Sequence, residues 1–305
     1  MSSLQLATIG LMALISLLVI RIPVGIAMLT VGIFGYVALS GLDPVLAYMK
    51  TAAFWQFASY DFCVIPMFLL MGEFASRSGL SRSLFGAANV FLGHRRGGVA
   101  MAAVGGCGAF GAICGSSLAT AGTMARVAIP ELERYRYSGS LATGALAAGG
   151  TLGILIPPSV ALIIYAIAVQ ANIVQMFQAA LIPGILGLVG YLAAISIWVR
   201  LSPESGPVGA RASNRERLHA LIETWPTLLL FVVVIGGIYF GIFDPTEGAA
   251  VGAFGAGALA FWKGHLDAGG LAECMKDAAK TTGMIFLILL GAGFLNIFMA
   301  LTGVA

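Results

Sequence analysis

Apolar residues run through this chain in blocks of about 17 to 25, the length that carries an α-helix across the hydrocarbon core of a bilayer. Such blocks fall at 4–20, 24–40, 61–76, 138–170, 178–199, 222–242, 246–264 and 283–302, which predicts eight crossings. A tight Arg21-Ile22-Pro23 turn joins the first two, and Phe243-Asp244-Pro245-Thr246-Glu247 joins the sixth and seventh. The segment 43–60, with Tyr48, Phe54, Trp55, Phe57 and Tyr60, reads as an interfacial stretch carrying an aromatic belt. The segment 79–94 sets Leu80, Leu84, Phe85, Ala88 and Phe91 at helical spacing and Arg82 on another face, the pattern of an amphipathic arm at the membrane surface. Residues 201–220, rich in proline, glycine and charge, read as a linker between two bundles.

The fourth block is interrupted. Gly149-Gly150-Thr151-Leu152-Gly153-Ile154-Leu155-Ile156-Pro157-Pro158-Ser159 places three glycines and a double proline near its middle. Each proline removes an N–H and clashes with the preceding turn, so a helix must break there. Broken backbone is tolerated at membrane depth only where it is buried in protein or lines a cavity. The break is therefore a candidate site in its own right.

Residues 97–130 are apolar and glycine-rich, with Arg95 and Arg96 before them and Arg126, Arg134 and Arg136 at or beyond their end. A single crossing would place one cluster outside. A re-entrant hairpin keeps both on one face. With that hairpin and the N-terminus outside, fifteen of the sixteen basic residues lie inside and only Lys50 lies outside, a strong positive-inside bias. The linker then separates five crossings from three. An odd number per unit inverts the second unit, as in many transporters built from inverted repeats. The expected organisation is a first repeat over 1–200 (scaffold helices 4–96, hairpin 97–130, broken helix 138–170, helix 178–199), a cytoplasmic linker at 201–220, and the start of an incomplete second repeat at 221–305.

Composition agrees with an all-α polytopic membrane protein: 59% apolar, 10% charged, and a mean hydropathy of +0.98. A net charge of +3 does not suggest nucleic-acid binding. Cys63, Cys107, Cys114 and Cys274 show no metal spacing and read as reduced packing residues. Met1 to Leu4 has no basic n-region and no small-residue cleavage site follows, so the first block reads as a span rather than a signal peptide. Gly106-Cys107-Gly108-Ala109-Phe110-Gly111 matches a dinucleotide fingerprint only formally, since no strand precedes it. An intramembrane serine nucleophile at Gly115-Ser116-Ser117 would need a base at its depth, and His94, His219 and His265 all lie near predicted inner loops, so the chain does not read as an enzyme. Glu73 is open to two readings, a functional acid facing the bundle or an interfacial partner of Arg77. Asp61, Asp244 and Glu247 stand at helix starts, where acids favour the dipole. The hairpin tip, Gly108 to Thr120, concentrates hydroxyls and mobile glycine backbone. Together with carbonyls freed at the Pro157-Pro158 break, it offers the oxygen ligands a hard cation such as Na⁺ requires. Close helix packing is the competing explanation for the glycines.

These residues resemble the large membrane subunit (M-type) of tripartite ATP-independent periplasmic (TRAP) transporters. The resemblance is carried by Ile65-Pro66-Met67-Phe68-Leu69-Leu70-Met71-Gly72, by Gly115-Ser116-Ser117-Leu118-Ala119-Thr120, by Gly150 to Ser159, by Ile182-Pro183-Gly184 and by Pro245-Thr246-Glu247. It implies an elevator-type ion transporter fold in a bacterial inner membrane, with the N-terminus periplasmic. It implies Na⁺-coupled import of organic acids, whether C4-dicarboxylates, sialic acid or similar carboxylates, with no organic cofactor. Implied partners are a periplasmic substrate-binding protein and a small four-helix membrane subunit. Carried over residue by residue, it places a Na⁺ site at Ser116, Ser117, Gly149, Gly153 and Pro157, with Thr120, Thr151 and Ser159 nearest the substrate. Family members continue into an outer arm, a second hairpin and a second broken helix, whereas this sequence ends at Thr302-Gly303-Val304-Ala305. The second Na⁺ site and about half of the substrate cleft are then missing, and the chain alone is expected not to transport. A non-transporting fragment or scaffold, and a carboxylate symporter that works without a binding protein, remain as alternatives.

Overall fold

A computed structural model describes residues 3–209 and 211–304, so Ala305, the last residue of the terminal run, lies outside the described residues. The helices are α1 (Ser3–Val19), α2 (Val24–Ser40), α3 (Leu42–Phe57), α4 (Val64–Arg77), α5 (Leu80–Leu92), α6 (Gly98–Cys114), α7 (Ser117–Arg134), α8 (Gly139–Leu155), α9 (Val160–Ala168), α10 (Ile173–Leu201), α11 (Asn214–Phe231), α12 (Gly237–Tyr239), α13 (Pro245–Trp262) and α14 (Ala268–Thr302). A π-helical turn, Val232–Gly236, joins α11 to α12. Each of the eight apolar blocks is mainly helical, the fourth interrupted at 156–159. Ile173–Leu201, Asn214–Tyr239 and Ala268–Thr302 are individually long and apolar enough to cross a membrane. Tyr60–Arg77 with Leu80–Leu92, bent by 65°, and Gly139–Leu155 with Val160–Ala168, bent by 42°, pass that test as pairs.

The described residues form two compact units. In the smaller one, residues 3–62 with 279–304, small residues let backbones approach. A Cβ on Gly32 would lie 2.6 Å from the Leu295 nitrogen, and one on Gly291 would lie 2.5 Å from the Gly25 carbonyl oxygen. The Phe298 ring fills the space left by Gly10 and Gly35. The expected aromatic stretch is helix α3, where Phe57 stacks on Phe286 with centroids 4.7 Å apart and Tyr48 meets Phe294 edge-on at 5.1 Å. The Trp55 side chain lies outside the described ones.

The larger unit, residues 63–278, holds the hairpin and the broken helix. The expected arm is α5, reached through Gly79 in the left-handed region at φ 75°. The hairpin differs from 97–130 at its far end, because α7 runs through Pro130 to Arg134. Its buried stripe of Met124, Ala128 and Leu132 continues past the proline, and that packing outweighs one lost backbone hydrogen bond. The linker is shorter than 201–220. Its C-terminal part is helix, because Ser213 and Glu216 form a capping box that starts α11. The Glu216 carboxylate accepts the Ser213 N–H at 2.6 Å and the Ser213 hydroxyl at 2.9 Å. Asp244 and Glu247 form the same box at α13. Helix α10 begins five residues before the expected 178, capped by Asn172. Helix α14 begins fifteen residues before the expected 283, over polar turns invisible to hydropathy.

The strap between α10 and α11 is sewn to the base of the hairpin. Gly97 N–H donates to the Gly206 carbonyl at 3.1 Å, Gly209 N–H to Gly93 at 3.0 Å, and Arg96 bridges Val208 in an antiparallel pair. The Tyr137 hydroxyl takes the Val99 N–H at 3.2 Å and donates to the Pro207 carbonyl at 2.9 Å. Burial pushes the Tyr137 phenol above its ordinary range. Tyr137→Phe is expected to cost about 1–3 kcal/mol, because it orphans two backbone groups. Faster amide exchange at Val99, read by hydrogen–deuterium mass spectrometry, checks this; unchanged protection there would contradict it.

Candidate functional site

The hairpin tip and the helix break meet directly. Helix α6 ends at Cys114, Gly115 turns the chain at φ 66°, and Ser116 caps α7, its Oγ accepting the Ala119 N–H at 3.4 Å. On the other side Ile156–Ser159 interrupts the helix around a cis Pro157–Pro158 bond, and Ser159 caps α9 through Leu162 N–H at 3.4 Å. The first N–H of α9, on Val160, donates to the Gly115 carbonyl at 3.3 Å. An orphan donor at a helix N-terminus is thus satisfied by the tip of the other element.

Three glycines of α8 seat it in the groove between the hairpin arms. A Cβ on Gly149 would lie 3.0 Å from Cys107 on α6, and one on Gly150 would lie 2.7 Å from Ala121 Cβ on α7. One on Gly153 would lie 2.7 Å from Thr120 Oγ1 and 2.9 Å from the Ser116 carbonyl oxygen. Gly111 meets Gly153 backbone to backbone. Close packing therefore explains why these positions are glycine, and the same closeness puts main-chain oxygens of the tip against the break.

One polar group in this contact has no hydrogen bond. Thr120 is fully buried and its Oγ1 makes none, although the Cys114 thiol sits beside it. An unpaired buried hydroxyl costs about 1–3 kcal/mol. Of the residues singled out from the sequence, Ser116, Thr120 and Gly153 converge here. Pro157 and Ser159 are buried in the break, and Ser117 is half-buried on the first turn of α7. Gly149 faces α6. Thr151 is exposed and turned elsewhere, its hydroxyl bonded to the Ala148 carbonyl at 2.7 Å and to Tyr191 of α10 at 2.9 Å.

A polar cavity of about 1230 Å³ adjoins the tip. Ala119, Thr123, Arg126 and Val127 present one face of α7 to it, and Glu73, Ser76 and Arg77 one face of α4. Ser76 also lies beside the Cys114 thiol, so the cavity reaches the tip. Arg82, Lys263, Glu223 and Asp277 give it both signs of charge. Of the two readings of Glu73, the ion pair with Arg77 is not the one formed: Arg77 bonds Glu273 at 2.6 Å, while Glu73 faces the cavity. Arg126 and Thr123 had no functional reading in the sequence. Their spacing with Ala119 carried the signal, at i, i+4 and i+7 along α7.

Described residues that fold into helices and no named strand, several of those helices long and apolar enough to cross a membrane, define a polytopic membrane protein. Within that class, the chain belongs to the tripartite ATP-independent periplasmic transporter DctM component family, whose model matches residues 11–305. It is 38% identical over 236 residues to the C4-dicarboxylate TRAP transporter large permease protein DctM of Pseudomonas aeruginosa, covering 76% of this chain and 54% of that protein. It is 34% identical over 279 residues to the isethionate TRAP transporter permease protein DctMQ of Oleidesulfovibrio alaskensis, covering 89% and 42%. The sialic acid TRAP transporter large permease protein SiaM of Vibrio cholerae is 30% identical over 236 residues, covering 76% and 54%. The chain thus spans about half the length of the curated relatives it matches.

Proposed function

We propose that this chain contributes the first hairpin and first broken helix of a Na⁺-coupled permease that imports organic acids across a bacterial inner membrane. The observation that carries this is the Val160–Gly115 bond between tip and break, with the buried Thr120 hydroxyl left unpaired beside it. In this reading the ligands are hydroxyls and carbonyls, the oxygens that the hairpin tip and the break bring close together. That donor set suits a hard, monovalent cation. Na⁺ is cargo in this reading, bound by Ser116, Ser117 and the backbone of Gly149, Gly153 and Pro157. Substrate lies nearest Ser159 and Thr120, and the unpaired Thr120 hydroxyl, beside Gly153 and the Ser116 carbonyl, also serves as a ligand to the ion; Thr151, bonded to Tyr191, takes part only if that hydroxyl pair opens. The mixed-charge cavity on the α4 and α7 side is the route by which a carboxylate leaves.

Family membership supports the remaining parts of the proposal. A periplasmic binding protein delivers substrate, and a small membrane subunit accompanies the permease; the DctMQ name of one relative supports that pairing. Inverted repeats, an elevator movement and a periplasmic N-terminus belong to the same proposal. The test is uptake into liposomes by the complete permease with both partners. Uptake should follow an inward Na⁺ gradient, and Ser117→Leu should lower it at least tenfold. Uptake indifferent to Na⁺ would overturn the coupling. Uptake undiminished without the binding protein would instead mark a simple symporter, and no uptake at all a scaffold.

A further inference from the structure

A second cleft, of about 520 Å³, lies where the turn between α5 and α6 meets the end of α10. Its rim carries Arg95, Arg96 and Arg200. Among the described residues none of the three makes an ion pair, and no acidic residue lines the cleft. Apart from Ser196 its walls are apolar, formed by Leu92, Met101, Val189, Leu192 and Ala193. Three guanidinium groups over an apolar groove fit an anionic amphiphile rather than a soluble ion.

The position fixes the scale. Helix α10 is long and apolar enough to cross a membrane, and Arg200 stands in its last turn. The arginines therefore sit at the height of lipid headgroups. On α10 the cleft runs from Arg200 down to Val189, eleven residues or about 16 Å at 1.5 Å per residue. That is close to the thickness of one leaflet, half of a hydrocarbon core about 30 Å thick. Arg95 and Arg96 are not on a loose loop, because the Arg96–Val208 bridge and the Gly97–Gly206 bond fasten the turn. We propose that this cleft binds one diacyl anionic phospholipid, its phosphate held by the three guanidinium groups and an acyl chain lying along Leu192 and Met101. Basic pockets between helices at a membrane surface take such headgroups, with each cation near an anionic lipid worth about 1 kcal/mol. The inference rests on membrane insertion alone and does not depend on ion-coupled transport.

The purified chain in mild detergent, mixed with equal phosphatidylglycerol and phosphatidylcholine of matched acyl chains, tests it by native mass spectrometry. The chain should retain one phosphatidylglycerol in preference to phosphatidylcholine. The triple variant Arg95→Gln, Arg96→Gln, Arg200→Gln should lose that preference at least tenfold, while Arg211→Gln with Arg215→Gln keeps it. Leu192→Trp, which fills the groove and leaves every charge in place, should also lose the lipid, and decides the matter if the triple variant does not fold. No preference for phosphatidylglycerol, or retention in Leu192→Trp, would overturn the proposal. So would displacement of the lipid by millimolar inorganic phosphate, which would mark a site for the headgroup anion alone.

Discussion

Gly153→Ala is expected to destabilise the larger unit by about 1–3 kcal/mol, and Gly153→Leu to prevent the hairpin from seating on α8. A single added carbon would lie 2.9 Å from the Ser116 carbonyl and 2.7 Å from Thr120 Oγ1. The hydroxyl can rotate away, but the carbonyl is backbone at the tip of the hairpin and cannot yield without moving Gly115, whose carbonyl holds Val160. One methyl therefore strains both halves of the candidate site. Gly144→Ala, on the same helix, makes the control: its Cβ meets nothing within 4 Å, and removing a mid-helix glycine should stabilise by up to about 1 kcal/mol. Cys107 and Cys114 are buried and supply the reporter, once exposed Cys63 is replaced by Ser. A thiol-reactive dye followed on heating should show Gly153→Leu reacting well below the parent protein and Gly144→Ala at or above it. Equal midpoints for the parent and Gly153→Leu would mean that the tip does not press on α8.

The hairpin and the break were legible because each violates a local rule. Pro157-Pro158 cannot continue a helix, and basic clusters on both sides of 97–130 cannot sit on opposite faces without breaking the charge bias. The faces of α8 were legible in principle. At about 100° per residue, Gly149 and Gly153 lie close together while Thr151 stands about 160° from each, measured the short way round. That geometry turns Thr151 toward Tyr191, off the glycine face that seats on the hairpin. The mixed-charge cavity was not legible, because α4, α5, α7, α11, α13 and α14 all contribute to it and no local pattern announces such a meeting. Arg77 shows the same limit. Its partner Glu273 is 196 residues away, so the neighbour in sequence, Glu73, was the wrong candidate. Helix ends were misplaced for a different reason: hydropathy finds the apolar part of a helix, whereas caps such as Ser213 and Asn172 decide where it begins.

Thr120→Val should change stability in opposite directions with and without Na⁺. The side chains have nearly the same shape, so the exchange removes a buried, unpaired hydroxyl and little else. Without Na⁺ the variant should be the more stable by about 1–3 kcal/mol, the cost of burying that hydroxyl without a partner. If the hydroxyl is an ion ligand, Na⁺ repays this cost only in the parent protein. Binding to the folded state alone adds about 2.7 kcal/mol at a hundredfold excess over the dissociation constant. Melting midpoints recorded against NaCl, with choline chloride holding ionic strength constant, should therefore rise in the parent and stay flat in Thr120→Val, so that the two curves cross. The crossing separates a ligand from a packing residue. A packing role for Thr120 predicts parallel curves at every concentration, and a variant less stable throughout would show that the hydroxyl has a partner in the protein itself.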